Sequence, residues 1–255
     1  MLKIRKEQID VFEQAALCNF EDLMVEHLKQ FAPKHAEVLG EPRVRQVITL
    51  GMERARKYGF TNQGPVRFYL ELMFMFGSDF DTDPQLPWAH ETLKDAVSSN
   101  QMALADELYD KAMDYFNRVV GPNYEYEIAA LHKVSRERYE NLPRSDRNFG
   151  DEVAERLRKL YPQKCDYLGE LKLRLLIPRA SELAEKYSVT DSIGESVFIG
   201  LMFALGHGCT ADPQFPWIEA TLRDAAIGDP NKCIERLYGK FMTYLNTGLA
   251  NLEQR

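Results

Sequence analysis

The chain of 255 residues is 45% hydrophobic and 28% charged, too apolar for a disordered polymer and long enough to bury a sizeable core. Its formal net charge of −7 carries no basic stripe, which argues against gripping nucleic-acid phosphates. No uninterrupted apolar run approaches bilayer length, which argues against a membrane span. The four cysteines (Cys18, Cys165, Cys209, Cys233) are scattered without a C-x-x-C pair, and the charged opening Met1–Glu7 lacks the apolar centre of a signal peptide. Reduced thiols in a cytoplasmic protein are the expectation.

From Ile4 to Phe31 the apolar residues Ile9, Phe12, Ala16, Phe20, Leu23, Met24, Leu28 and Phe31 recur in steps of three and four, which predicts a long helix stopped by Pro33. Leu39-Gly40-Glu41-Pro42 reads as a turn. A second amphipathic helix follows over Val44, Val47, Ile48, Met52, Ala55 and Tyr58, ended by Gly59. The third, from about Pro65 to Phe76, is apolar nearly all round and is expected to be the most buried. A connector, Gly77–Trp88, carries helix-start chemistry in Asp83-Pro84 and Pro87-Trp88, with Asp83 expected as a cap. Trp88, Leu93, Ala96 and Val97 predict a short fourth helix. A fifth spans Met102 to Val120, with Ala105, Leu108, Tyr109, Ala112, Met113, Phe116 and Val119 inward, and Gly121-Pro122-Asn123 closes it.

The connector is then written again. Gly77-Ser78-Asp79-Phe80-Asp81-Thr82-Asp83-Pro84-Gln85-Leu86-Pro87-Trp88 returns as Gly206-His207-Gly208-Cys209-Thr210-Ala211-Asp212-Pro213-Gln214-Phe215-Pro216-Trp217, an offset of 129 residues. The same offset pairs Leu39-Gly40-Glu41 with Leu168-Gly169-Glu170, and Leu72-Met73-Phe74 with Leu201-Met202-Phe203. The expectation is an all-α protein of two tandem, sequence-related bundles of about five to six helices each, covering 1–122 and 123–255. The counterpart of the first helix is interrupted by a polar insertion near 143–150. Pro84 and Pro213 shape the two connectors, and Trp88 and Trp217 are read as structural anchors.

Asp79-x-Asp81-x-Asp83 alternates carboxylates on a loop, the way hard cations are gathered, and a divalent ion is the one cofactor it brings into view. The EF-hand pattern fails, because Pro84 stands at the glycine position and His90 at the position of the closing glutamate. Asp106, Asp110 and Asp114 form one acidic stripe on the fifth helix. Joined to Asp79, Phe80, Asp81 and Asp83, that stripe would make an acidic face for a basic protein partner. Gly194-Glu195-Ser196 lacks the closing glycine and preceding strand of a nucleophile elbow, and His207 beside Cys209 supplies only two soft ligands.

The opening Met1–Gln8 and the segment Leu72–Ala89 resemble a family of short bacterial proteins of unassigned function, whose genes sit among effector, immunity and accessory genes of type VI secretion or polymorphic-toxin clusters. The resemblance covers roughly residues 1–100. It implies a non-catalytic partner of a toxin or secreted effector (immunity, adaptor or chaperone-like) and supplies no catalytic residues. The alternative is a cation-binding protein or metal-dependent helical enzyme built on Asp79, Asp81 and Asp83.

Overall fold

In the computed structural model, which describes residues 6–94, 96 and 100–254, every regular element is helical. Of the expected inward positions, Ile9, Phe12, Ala16 and Val97 lie outside the described side chains. Helix α1 (Lys6–Phe31) ends at Pro33 as expected, but the proline also opens a short α2 (Pro33–Leu39), because its missing N–H costs nothing in a first turn. Gly40, at φ +72°, breaks α2 from α3 (Glu41–Lys57) in the left-handed region that a side chain rarely enters. Then come α4 (Gln63–Phe76), α5 (Pro87–Leu93) and α6 (Gln101–Tyr115), the last capped by the Asn100 side chain accepting from Met102 N–H. A π-helical turn, Phe116–Val120, finishes α6.

The second part of the chain begins with α7 (Glu125–Val134) and α8 (Phe149–Leu160), so the counterpart of α1 is split at the polar insertion. The insertion is pinned to the start of α12: Ser145 N–H donates to Ser192 O, and the Ser196 hydroxyl to Pro143 O. From there α9 (Pro162–Leu168), α10 (Glu170–Arg174), α11 (Leu176–Lys186), α12 (Gly194–Leu205), α13 (Pro216–Leu222) and α14 (Pro230–Glu253) follow the order of α2 to α6, with α10 and α11 together in the place of α3. Gly169, again at φ +72°, repeats the break at Gly40.

Apolar burial falls into two clusters. One gathers Leu28, Val44, Ile48, Tyr69, Leu72, Met73 and Leu108; the other gathers Leu176, Ala180, Phe198, Leu201, Met202, Ile234 and Leu237. Each such side chain contributes about 1.5–3 kcal/mol of burial free energy, which fixes the helices that carry the two connectors. Tyr161 and Tyr167 pack against both clusters.

Three expectations about burial need correction. On α1, Leu23 and Phe31 of the expected stripe are 52% and 40% exposed. Helix α4 is not enclosed all round, since Met75 is 42% exposed. On α6, Tyr109 and Met113 face solvent rather than the core, because the buried stripe of Leu104, Ala105, Leu108, Ala112 and Tyr115 is narrower than the apolar content of the helix.

Candidate functional site

The two connectors, far apart in the chain, meet backbone to backbone. Gly77 and Gly206 sit at φ +95° and +94°; a methyl group on the first would come 2.9 Å from Leu205 O, and on the second 3.1 Å from Phe76 O. Only glycine permits both the conformation and the approach. From this crossing each connector reaches into the other. Asp212 Oδ2 accepts Ser78 N–H at 2.7 Å, and Asp83 Oδ2 accepts His207 N–H at 2.8 Å. The Gln214 side-chain amide donates to Met73 O and that of Gln85 donates to Met202 O, both at 2.8 Å. Each aspartate also holds its own turn, with Gln85 N–H donating to Asp83 and Gln214 N–H to Asp212. Each of these bonds has its twin at the 129-residue offset, so the contact has an approximate two-fold relation; the Ser78 hydroxyl, which also donates to Asp212, has none, because His207 stands at its offset position.

Asp83 is therefore not the cap of α5, whose preceding residue, Leu86, makes no side-chain cap. Asp83 is 2% exposed and Asp212 6%, so their carboxylates satisfy buried backbone donors that would otherwise be orphaned. The two differ in charge environment. Burial alone would raise the Asp83 pKa, but the His207 imidazole, with Nδ1 3.4 Å away, and the accepted N–H groups outweigh it and hold it below the usual range. At Asp212 burial prevails over the Ser78 hydrogen bonds and the pKa is raised.

Beside this clasp lies a one-sided polar cluster. Asp81, 2% exposed, accepts the Tyr69 hydroxyl at 2.8 Å and the Tyr58 hydroxyl at 2.9 Å. Arg54 reaches across from α3 to pair with Asp79, lies 3.6 Å from Asp81 and donates to Ser78 O. Burial, then the Asp81 charge, push both phenol pKa values up, so the tyrosines stay donors. The offset counterparts of Arg54, Tyr69, Asp79 and Asp81 are Leu183, Phe198, Gly208 and Thr210: the whole charged set is absent from the second connector.

These positions settle what each expected site residue touches. Phe80, Asp81 and Asp83 are buried inside the protein and form no surface, because Phe80 packs on Tyr69 while the two carboxylates serve internal donors. Asp79 is half-buried against Arg54. Asp106, Asp110 and Asp114 are exposed on α6, as a separate acidic face. Among the described residues no three His, Cys, Asp or Glu side chains converge as metal ligands; Asp79 and Asp81 face Arg54, Asp81 also accepts the two tyrosines, and Asp83 turns to the second connector. Trp88 is buried against Phe76 and Tyr115, and Trp217 is half-buried against Tyr244. Pro84 and Pro213 are partly covered in the turns between the aspartates and glutamines, while Pro87 and Pro216 open α5 and α13.

Arg54, Gln85 and Gln214 are the working residues that sequence reasoning did not single out. The signal was present in the offset comparison: residues kept in both connectors make the twinned bonds, and residues lost together make the one-sided cluster. No family model, curated protein or solved structure matches the chain.

Proposed function

We propose that the chain is two tandem, related helical bundles and that it works as a non-catalytic binding protein, an immunity, adaptor or chaperone-like partner of a bacterial toxin or secreted effector. The surface that takes the partner is the seam between α4 and α6, and its occupant is a basic amphipathic helix. The observation that carries this reading is the composition of that seam. Met102, Tyr109, Met75 and Met113 are 51%, 53%, 42% and 37% exposed, and Tyr109 rests on Phe68 of α4 with ring centroids 6.0 Å apart. Asp106, Asp110 and Asp114 run alongside them on α6, so apolar and acidic groups lie in parallel rows.

The chain itself supports the choice of a helix. At the 129-residue offset the seam becomes that between α12 and α14, and there α7 packs across α14. The counterparts of Tyr109 and Met113, Tyr238 and Met242, are only partly exposed under it. With the insertion taken into account, α7 corresponds to the first part of α1, which runs on unbroken to Phe31 instead of being split off as a separate helix. A helix with aliphatic residues along one side and Lys or Arg along the next would complete α4–α6 as α7 completes α12–α14, with the acidic row steering its approach.

The test is an affinity capture of the tagged protein from its native lysate, repeated with Asp106→Lys/Asp110→Lys and with Tyr109→Ala/Met113→Ala. The expected result is one near-stoichiometric partner that both variants lose, bound more weakly at high salt by the wild type. Equal capture by both folded variants would place the interface elsewhere and refute the reading.

A further inference from the structure

The second cluster borders a half-open cavity of about 180 Å³ between α7, α8, α9, α12 and α14, with Ala204 exposed at its mouth. Its walls are mainly apolar, including Val153, Leu157, Phe203 and Phe241. The volume has a local origin. Gly200 and Ala204 line it where the offset puts Glu71 and Met75 in the first bundle, so two side chains' worth of space is missing from one face of α12. An apolar cavity of about 150 Å³ is enough to hold benzene, so this one is sized for a six-membered ring or a short aliphatic chain.

One feature is foreign to an apolar cavity: the Lys164 side chain on its wall. The ammonium donates to Phe203 O and stands 4.5 Å above the Phe203 ring. Three N–H donors meet one hydrogen-bond acceptor and a ring face, so the half-buried ammonium has donor capacity to spare on the cavity wall. Burial disfavours the cation there while the charges of Asp83 and Glu127 favour it, and a bound anion would add to them. A second polar point is the Tyr238 hydroxyl, which is buried without a hydrogen-bond partner on the same cavity. The wall also carries Glu127 and the ion pair of Arg156 with Glu137, so the Lys164 ammonium is distinguished from Arg156 by not being committed to that pair. In the first bundle the counterpart of Lys164 is His35, which bonds to Gln214 across the clasp, so the cationic use of this position belongs to the second bundle alone.

We propose that this cavity binds a small monocarboxylate with a compact apolar body, its carboxylate on Lys164 and its ring or short chain among Val153, Leu157, Phe203 and Phe241. The site is independent of the α4–α6 seam and shares no residue with it. A charge-assisted hydrogen bond of this kind contributes about 1.5–3 kcal/mol, so removing it weakens binding roughly 10- to 100-fold.

The experiment is calorimetric titration at pH 6.5 of the full chain with phenylacetate, hexanoate and benzyl alcohol. It is repeated for Lys164→Met, and for Ala204→Met, which restores the bulk that Met75 has in the first bundle. Expected is 1:1 saturable binding of at least one carboxylate, weakened at least about tenfold by Lys164→Met while benzyl alcohol binds both proteins alike. Ala204→Met should abolish all three; should that variant fail to fold, Phe241→Trp fills the cavity from the opposite wall. No saturable carboxylate binding, carboxylate affinity unchanged in Lys164→Met, or binding retained with the cavity filled would each overturn the proposal.

Discussion

Replacing Asp212 by alanine tests the clasp most directly. The carboxylate accepts three hydrogen bonds, from Ser78 N–H at 2.7 Å, the Ser78 hydroxyl at 2.6 Å and Gln214 N–H at 2.9 Å. Ser78 and Gln214 are 1% and 3% exposed, so water cannot take over. An orphaned buried donor costs about 1–3 kcal/mol, which puts the gross loss for three donors at about 3–9 kcal/mol. Relief of the carboxylate's own burial, visible in its raised pKa, returns part of this, leaving a net loss of about 2–4 kcal/mol. For a chain of this length that corresponds to a fall of roughly 5–15 °C in Tm. Because the lost bonds join two apolar clusters, the calorimetric trace should also broaden or divide into two transitions. Asp212→Asn, which keeps one acceptor oxygen, should fall between. Exposed Asp106→Ala is the control and should stay within about 0.5 kcal/mol. A loss at Asp212 no larger than at Asp106, with a single unshifted transition, would refute the assignment of Asp212 to holding the two connectors together.

Gly77→Ala should cost about 2–4 kcal/mol by urea unfolding, combining a positive φ with a 2.9 Å approach to Leu205 O, whereas Gly40→Ala, with only a 3.9 Å contact, should cost about 1 kcal/mol. Arg54→Leu alone leaves Asp81 buried without its cation and should destabilise by about 3–5 kcal/mol. Adding Tyr69→Phe, Asp79→Gly and Asp81→Thr, the set found at the offset positions, should recover most of that loss in the same assay. Burial pulls the Lys164 pKa down to about 8, against the raising influence of Asp83, Cys165 and Glu127. Between that value and the ordinary lysine pKa the unfolded chain holds a proton that the folded chain has released. Lysine's contribution therefore favours folding more as pH rises through the window, by roughly 2–3 kcal/mol in total. The difference in stability between Lys164→Met and wild type, measured by urea unfolding from pH 7 to 10.5, should accordingly shrink as pH rises; a difference independent of pH would contradict it.

Helix class and most helix positions were legible because steps of three and four in apolar residues report directly on a core-facing side. Pro33 shows the limit of that reading: the same residue that stops α1 opens α2, and the stretch Pro33–Leu39 is too short for periodicity to reveal. Tyr109 and Met113 show another, since an apolar residue at helical spacing faces the core only if something packs over it. The carboxylates of the first connector were visible as a cluster, but not their direction. Asp79, Asp81 and Asp83 lie within five residues, yet Asp79 pairs with Arg54, Asp81 with two tyrosines and Asp83 with a backbone more than a hundred residues away. Turn geometry decides which way each points, and nothing in residue spacing encodes that. Lys164 was silent for a different reason: a single cation in a short helix carries no pattern, and only enclosure makes it unusual.

At the centre of the clasp the near-perfect pairing fails at a second place. A methyl group on Gly208 would fall 1.7 Å from Asp79 Oδ2, so the Asp79 side chain occupies the space that a residue at 208 would need. Two identical copies of the first connector would bring aspartate against aspartate at that point, so one of the two side chains would have to turn away. The contact closes here because the two connectors differ at this position, one supplying a side chain and the other the gap it fills. A single chain carrying both connectors can put the charge on one side and the gap on the other, a division of labour closed to two identical chains.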